Sequence, residues 1–244
     1  MNAPLGRRIA AEAIGTGLLV TVVVGSGIQA TELSHDIGVQ LLANSLATVF
    51  GLGVLITLLG PVSGAHFNPA VTLTTWFNGR RDPHGLTLRD VIAYVPAQIA
   101  GAVTGALLAN AMFAEPLVEF STHDRSSGHL LLGEVVATAG LILLILGLNR
   151  IGRATLAPAA VASYIGAAYW FTSSTSFANP AVTVGRAFTD AFAGIAPASV
   201  APFVGAQALG AVLGLGAVAA VHGRPAPAPD PVAVPHGEPA ATTS

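Results

Sequence analysis

One five-residue motif occurs twice in the chain and limits its possible folds more than any other feature. The residues Asn-Pro-Ala-Val-Thr stand at 68–72 and again at 179–183. Asn is a favoured N-cap and Pro a favoured first helical residue, so each copy predicts the start of a helix. The apolar segments that begin there, about 68–78 and 179–189, are too short to cross a membrane, which takes roughly 20 residues. Each copy therefore predicts a short half-helix.

Six other apolar stretches are long enough to cross a membrane. Charged residues make up 9% of the 244 residues and hydrophobic residues 52%, whereas a soluble domain carries about a quarter charged residues. A short helix joined to coil at membrane depth is tolerated only where protein or a water-filled cavity surrounds it. The sequence thus predicts an all-α membrane protein with six transmembrane helices and two re-entrant half-helices. The predicted spans are about 8–30, 38–60, 90–112, 129–149, 155–175 and 198–221.

The basic residues predict how these spans are oriented. All ten are Arg, and eight of them fall on one side of a six-span chain: Arg7, Arg8, Arg80, Arg81, Arg89, Arg150, Arg153 and Arg224. By the positive-inside rule that side is cytoplasmic. We therefore expect an integral protein of a bacterial inner (plasma) membrane with both termini in the cytoplasm. Residues 222–244 contain six prolines and are expected to form a disordered, Pro-rich cytoplasmic tail.

Two further sequence elements repeat in the same order as the motif. Glu12-x-x-x-Thr16 is matched by Glu134-x-x-x-Thr138, and Ala97-Gln98-x-x-Gly101-Ala102 is matched by Ala206-Gln207-x-x-Gly210-Ala211. Each half holds three spans, an odd number, so the second half is predicted to lie upside down relative to the first. The predicted membrane domain is 1–221, with repeat one at about 5–112 and repeat two at about 129–221. An inverted repeat with broken helices places the functional site between the halves.

The motifs and their surroundings resemble a known family. The segments SGAHFNPAVT (63–72) and SFANPAVTVG (176–185), with the two Glu-containing helices, closely resemble the major intrinsic protein family of aquaporins and aquaglyceroporins. The resemblance covers about 5–221 and implies an aquaporin-like channel: one pore per subunit and a homotetramer surrounded by membrane lipid. The pore motifs that it implies are Asn68, Pro69 and Ala70 in the first half, and Asn179, Pro180 and Ala181 in the second.

The centre of such a pore is expected to repel cations. Two half-helices that enter from opposite faces point their N-termini at each other, and each N-terminus carries about half a positive charge. Cations and hydronium are therefore disfavoured there. The side-chain amides of Asn68 and Asn179 are expected to offer N–H donors to a passing oxygen, so that a water held there cannot easily continue a proton wire.

The two glutamates within the spans have two interpretations. Buried carboxylates inside a membrane are often functional, and Glu12 or Glu134 could serve an ion- or proton-coupled secondary transporter. In the family that the chain resembles, the corresponding glutamates instead accept hydrogen bonds from the re-entrant loops. One glutamate in each half favours this structural role. His66, just before the first motif, is likewise expected to pack in the loop rather than to bind a ligand.

The expected selectivity filter departs from the usual pattern of the family. Most relatives carry Arg after the second Asn-Pro-Ala, where this chain has Val182. Arg186 lies four residues later and is not expected to reach the same spot. Spacing from the motifs places Thr48, Ala167 and Ser176 at the other filter positions. All four residues are small and uncharged, so a wide filter is expected.

A wide filter suits a passive channel for small uncharged solutes: glycerol-like polyols, water and, by analogy with some bacterial relatives, arsenite or other metalloid hydroxides. The alternative is the coupled transporter described above. An enzyme is not expected, because the spans contain no Ser/His, paired-Asp or metal-ligand constellation. With no Cys and no clustered His or Asp, neither a metal site nor a cofactor is expected, and the net charge of −2 gives no sign of a nucleic-acid partner.

Overall fold

The computed structural model describes residues 3–80, 82 and 85–223. These residues form eight α-helices and two 3₁₀ turns and contain no β-strand, which confirms the predicted all-helical fold. The helices are α1 (Leu5–Leu33), α2 (Ile37–Ser63), α3 (Pro69–Gly79), α4 (Leu88–Met112), α5 (Gly128–Arg150), α6 (Ala157–Phe171), α7 (Pro180–Gly185) and α8 (Pro197–His222). Five helices, α1, α2, α4, α5 and α8, are long and apolar enough to span a membrane.

The fifth predicted span, 155–175, is shorter than expected. Helix α6 has 15 residues and rises only about 22 Å. A 3₁₀ turn over Ala154–Leu156 extends it at its start. It ends at Phe171 because Thr172 adopts an extended conformation. The residues that follow form the loop that leads to the second half-helix, so α6 does not extend through them.

The two half-helices differ in length. Helix α3 covers Pro69–Gly79, close to the predicted segment, whereas α7 covers only Pro180–Gly185 and continues as a 3₁₀ turn over Arg186–Phe188. Gly185 lies so close to α4 that a Cβ atom there would be 2.6 Å from the Ala102 carbonyl oxygen. The second half-helix therefore packs directly on the backbone of α4, and the turn that follows it is a 3₁₀ turn rather than an α-helical one.

The bundle is held together by closely packed helix pairs related by the sequence repeat. Helix α4 approaches α1 at Gly101 and Gly105, and α8 approaches α5 at Gly210 and Gly214. A Cβ atom on Gly210 would lie 2.5 Å from the Val135 carbonyl oxygen. Small residues at such crossings let membrane helices approach closely enough for extensive van der Waals contact.

Large apolar side chains cover much of the outside of the bundle. They include Ile14, Phe50, Val54, Leu58, Ile92, Leu132 and Val212. Exposed apolar surface on this scale is unfavourable in water but suits contact with lipid. The protein is therefore an integral membrane protein. Of the predicted tail, residues 224–244 lie outside the described residues.

Matched glycine substitutions in α8 test this packing. We expect Gly214→Ala to destabilise the fold by about 1–3 kcal/mol through overpacking, because the new Cβ would lie 2.7 Å from the Ala139 carbonyl oxygen. Gly216→Ala is the control, since a Cβ there meets nothing within 4 Å. Both gain about 1 kcal/mol of helix propensity, so the difference reports packing. Size-exclusion chromatography after heating in detergent measures it; equal melting of the two variants would contradict the close crossing.

Candidate pore and its re-entrant loops

Each half-helix begins at an asparagine that caps it. The Asn68 side-chain oxygen accepts hydrogen bonds from the backbone N–H groups of Ala70 (2.9 Å) and Val71 (3.4 Å). Asn179 does the same in the second half, with its oxygen 3.0 Å from the Ala181 nitrogen. Because each side-chain oxygen faces its own helix, the amide nitrogen points away from it and is free to bond elsewhere.

The two asparagines connect the halves of the protein. Asn68 Nδ2 donates to the carbonyl of Ala178 at 2.7 Å, and Asn179 Nδ2 donates to the carbonyl of Phe67 at 2.7 Å. The half-helices are thus fixed with their N-termini adjacent. Each amide nitrogen carries two hydrogens and uses one in this bond. The second hydrogen of each amide remains available, and both asparagine side chains border one cavity within the bundle.

The loops that precede the half-helices share an unusual backbone. Left-handed φ values occur in matching triplets: Gly64, Ala65 and Phe67 in the first loop, and Thr175, Ser176 and Ala178 in the second. For a residue with a Cβ atom this conformation costs on the order of 1–3 kcal/mol, and it persists only where the surroundings impose it. The buried glutamates are the groups that hold these loops.

Glu12 is completely buried and accepts four hydrogen bonds. Its donors are the Ser63 hydroxyl (2.6 Å), the backbone N–H of His66 (3.0 Å), the backbone N–H of Phe67 (2.7 Å) and the Gln98 amide (2.7 Å). Both carboxylate oxygens are therefore occupied. The His66 ring packs nearby, with Nδ1 3.1 Å from the Thr72 hydroxyl. His66 also borders the cavity.

Glu134 repeats this arrangement in the second half. It is also completely buried and accepts from the backbone N–H groups of Phe177 (2.9 Å) and Ala178 (2.8 Å). The Gln207 amide donates to it at 2.6 Å and also to the Thr183 hydroxyl at 2.8 Å. The carboxylate thus binds the loop, and the glutamine ties that carboxylate to the half-helix.

One cavity of about 660 Å³ passes both asparagines. It is also bordered by Gly60 near the end of α2, by Pro158 near the start of α6, and by Val182 of α7. Both half-helix N-termini therefore face the same continuous space.

Three of the four predicted filter residues border this cavity. Thr48, Ser176 and Val182 line it, whereas Ala167 is exposed on α6 and does not. Tyr169 lines the cavity in its place. Residues two apart on a helix point about 200° apart. The face of α6 that borders the cavity carries Ile165 and Tyr169, and Ala167 lies on the opposite side of the helix.

The polar groups of this wall differ in availability. The Thr48 hydroxyl donates to the Asn44 carbonyl at 2.8 Å and lies 3.1 Å from the Tyr169 hydroxyl. Ser176 Oγ, by contrast, has no hydrogen-bond partner among the described residues. That oxygen is fully enclosed, so in this conformation it presents no exposed hydroxyl to the cavity.

Arg186, which is not expected to reach the position of Val182, borders the same cavity. Its side chain is buried and its Nε donates to the Ala193 carbonyl. Residues at i and i+4 lie on the same face of a helix, so the spacing of Val182 and Arg186 was a signal for this placement.

The loop between α4 and α5 covers the segment that follows α7. Asp190 accepts from the backbone N–H of Thr122 at 2.7 Å, and this bond holds the pKa of the Asp190 carboxyl below its usual value. Arg125 Nε donates to the Gly194 carbonyl at 2.8 Å. These bonds hold residues 190–194, and Arg186, which borders the cavity, donates to the Ala193 carbonyl in this segment.

Two half-helices that meet N-terminus to N-terminus inside a membrane bundle, beside one cavity, define a membrane channel. Residues 2–178 match the sequence profile of the family described as Major intrinsic protein. The chain belongs to this family, whose members are channels and not enzymes.

Individual relatives agree with this assignment. The chain is 52% identical over 211 residues to aquaglyceroporin AqpS of Rhizobium meliloti (strain 1021), covering 86% of this chain and 88% of that protein. It is 32% identical over 229 residues to aquaporin Z of Brucella melitensis biotype 1, covering 84% and 95%. The X-ray structure of the aquaglyceroporin from Plasmodium falciparum gives a TM-score of 0.64 at 22% identity, covering 87% and 95%, and shows the same fold.

Substituting a buried glutamate tests its bonds to the loop. We expect Glu12→Gln to lower the yield of monodisperse protein and its stability, because the new NH₂ group faces donors; an unsatisfied buried donor costs about 1–3 kcal/mol. The exposed Glu32→Gln is the matched control. The solute selectivity of the remaining folded channels should change little. A well-folded Glu12→Gln protein that has lost only a pH-dependent flux would instead support the coupled transporter.

Proposed function

We propose that this protein is a passive channel for small uncharged solutes, namely water and glycerol-like polyols, with metalloid hydroxides such as arsenous acid in the same class. The observation that carries the proposal is the continuous cavity bordered by both capping asparagines. The similarity to an aquaglyceroporin and to an aquaporin supports the substrate class.

Neutral solutes are favoured by the electrostatics of the cavity centre. The N-terminal ends of α3 and α7 place partial positive charges there, which disfavour cations. A neutral oxygen can accept the second N–H of Asn68 or Asn179, because each amide uses its first N–H on the opposite loop. Replacing part of a solute's hydration with such donors lowers the cost of entry.

The state of the glutamates favours a channel over a coupled transporter. A coupling residue must gain or lose its ion as the transport cycle proceeds. The carboxylate oxygens of Glu12 and Glu134 are instead occupied by loop N–H groups and by Gln98 and Gln207. Releasing them would leave several buried donors unsatisfied. Their proposed role is therefore to hold the loops.

We extend the proposal to the filter and to the assembly. Thr48, Ser176 and Val182 are proposed filter residues, with Tyr169 in place of Ala167, because these four border the cavity. The proposed assembly is a homotetramer in a bacterial inner membrane with cytoplasmic termini. The one-sided distribution of arginines supports this orientation. The membrane domain is proposed to end near residue 221, with the repeats bounded as predicted.

Solute flux into proteoliposomes tests the channel directly. Stopped-flow light scattering with water, glycerol, urea and arsenite gradients should show protein-dependent flux of water and glycerol, without any ion gradient. Empty liposomes provide the baseline. Vesicles that pass water but exclude every larger neutral solute would contradict a wide filter, and flux that requires an ion gradient would contradict a passive channel.

A substitution at Val182 tests the filter wall. We expect Val182→Arg to reduce glycerol or arsenite flux more than water flux, because it adds bulk and charge to the cavity wall beside Ser176. Val182→Leu adds bulk without charge and separates the two effects. Comparing the glycerol-to-water flux ratio of both variants with that of the original protein measures the result. An unchanged ratio in Val182→Arg would show that residue 182 does not border the conducting path.

A further inference from the structure

The cavity wall beyond the second motif carries a positive charge. Arg186 is 3% exposed and borders the same cavity as Ser176 and Val182. Its Nε donates to the Ala193 carbonyl. The two terminal nitrogens of the guanidinium group have no hydrogen-bond partner among the described residues, and neither is a fully enclosed polar atom. These N–H groups are therefore reachable from the cavity.

An aromatic ring holds this guanidinium in position. The Arg186 Cζ atom lies 3.4 Å from the centroid of the buried Phe177 ring. Phe177 is fixed in turn by an edge contact with Phe203, with 5.1 Å between the ring centroids. The backbone N–H of Phe177 is bound by Glu134. A planar cation stacked on an aromatic face keeps its terminal N–H groups free in a defined direction.

The charge of Arg186 has no counter-charge in direct contact. Within the described part of the chain, the salt bridges are Arg8 with Asp90 and His123 with Asp190, so Arg186 is not ion-paired. A second cation, Arg125, lies over the same ring, 5.1 Å from its centroid. It is also unpaired, and it donates to the Gly194 carbonyl.

An unpaired cation in a poorly hydrated wall is costly for folding and acts strongly on any ion that passes it. Burying an isolated charge is unfavourable unless it is paired or hydrogen-bonded. In the same environment, charges interact several times more strongly than in water. Arg186 should therefore repel hydronium and other cations, while its N–H groups can bind the oxygen of a neutral solute.

We propose that Arg186 is the charged filter residue of this channel, with Phe177 as its positioning residue. This proposal rests on the proposed channel function and adds to it. Two residues then have separate roles: one repels cations, and the other leaves space for solutes. Val182 leaves room on one part of the wall, while Arg186, one helical turn further along, supplies the charge. The channel should accept neutral hydroxyl- or carbonyl-bearing solutes and exclude protons and small ammonium ions.

Proton leak and solute flux, measured on the same proteoliposomes, test this assignment. We expect Arg186→Gln and Arg186→Ala to raise the leak of protons and of methylammonium by about tenfold or more, while glycerol flux stays the same or increases. The double variant Val182→Arg/Arg186→Gln should bring the leak back towards its original level, because it restores a cation on the same wall. The exposed Arg153→Ala is the control for loss of a positive charge elsewhere.

The outcomes separate the two proposals. Vesicles of the original protein that pass no neutral solute would overturn the proposed function. Neutral flux in the original protein, with no rise in cation leak in either folded Arg186 variant, would overturn the assignment of Arg186 alone. A leak that rises but is not reduced by Val182→Arg would also overturn it, since the effect would then come from disturbed packing around Phe177. Arg186→Gln keeps most of the side-chain length, so it covers the case in which Arg186→Ala does not fold.

Discussion

The backbone of two non-helical loops must be hydrogen-bonded in the centre of a membrane bundle, where water is scarce. Each unsatisfied group would cost several kcal/mol there, and the left-handed residues Phe67 and Ala178 have no helical carbonyl as acceptor for their N–H groups. Glu12 and Glu134 accept these N–H groups, and Gln98 and Gln207 fix the carboxylates. The burial of the two glutamates and the two glutamines is explained by this one requirement.

The properties of the cavity follow from the same arrangement. Once the loops are held, the half-helices can begin only at Asn68 and Asn179, and their positive ends face one space. The second loop also places Ser176 and Phe177 on or beside the wall, and Phe177 carries the guanidinium of Arg186. The bonds that make the loops stable thus also arrange the groups that meet a solute.

The sequence predicted those features that depend on local chemistry or on the repeat. The capped half-helices follow from Asn-Pro, and the resemblance to the family supplied the glutamate contacts before they were seen. Counting residues from the motifs placed Thr48 and Ser176 beside the cavity but not Ala167. Ala167 was assigned by its distance from Asn179, but the face of α6 that meets the cavity depends on where that helix ends and how it is rotated. Arg186 was not expected to reach the position of Val182, because it lies one helical turn later, yet it borders the same cavity.

The reciprocal bonds between the loops have a consequence for biosynthesis. The partners Asn68 and Ala178 are 110 residues apart, and Asn179 and Phe67 are 112 apart. When the ribosome has delivered only the first three long helices, the Asn68 amide and the Phe67 carbonyl have no partners. The early half must therefore remain unfinished in the membrane until translation supplies the later half. Each half completes the other, and neither can be a finished unit by itself.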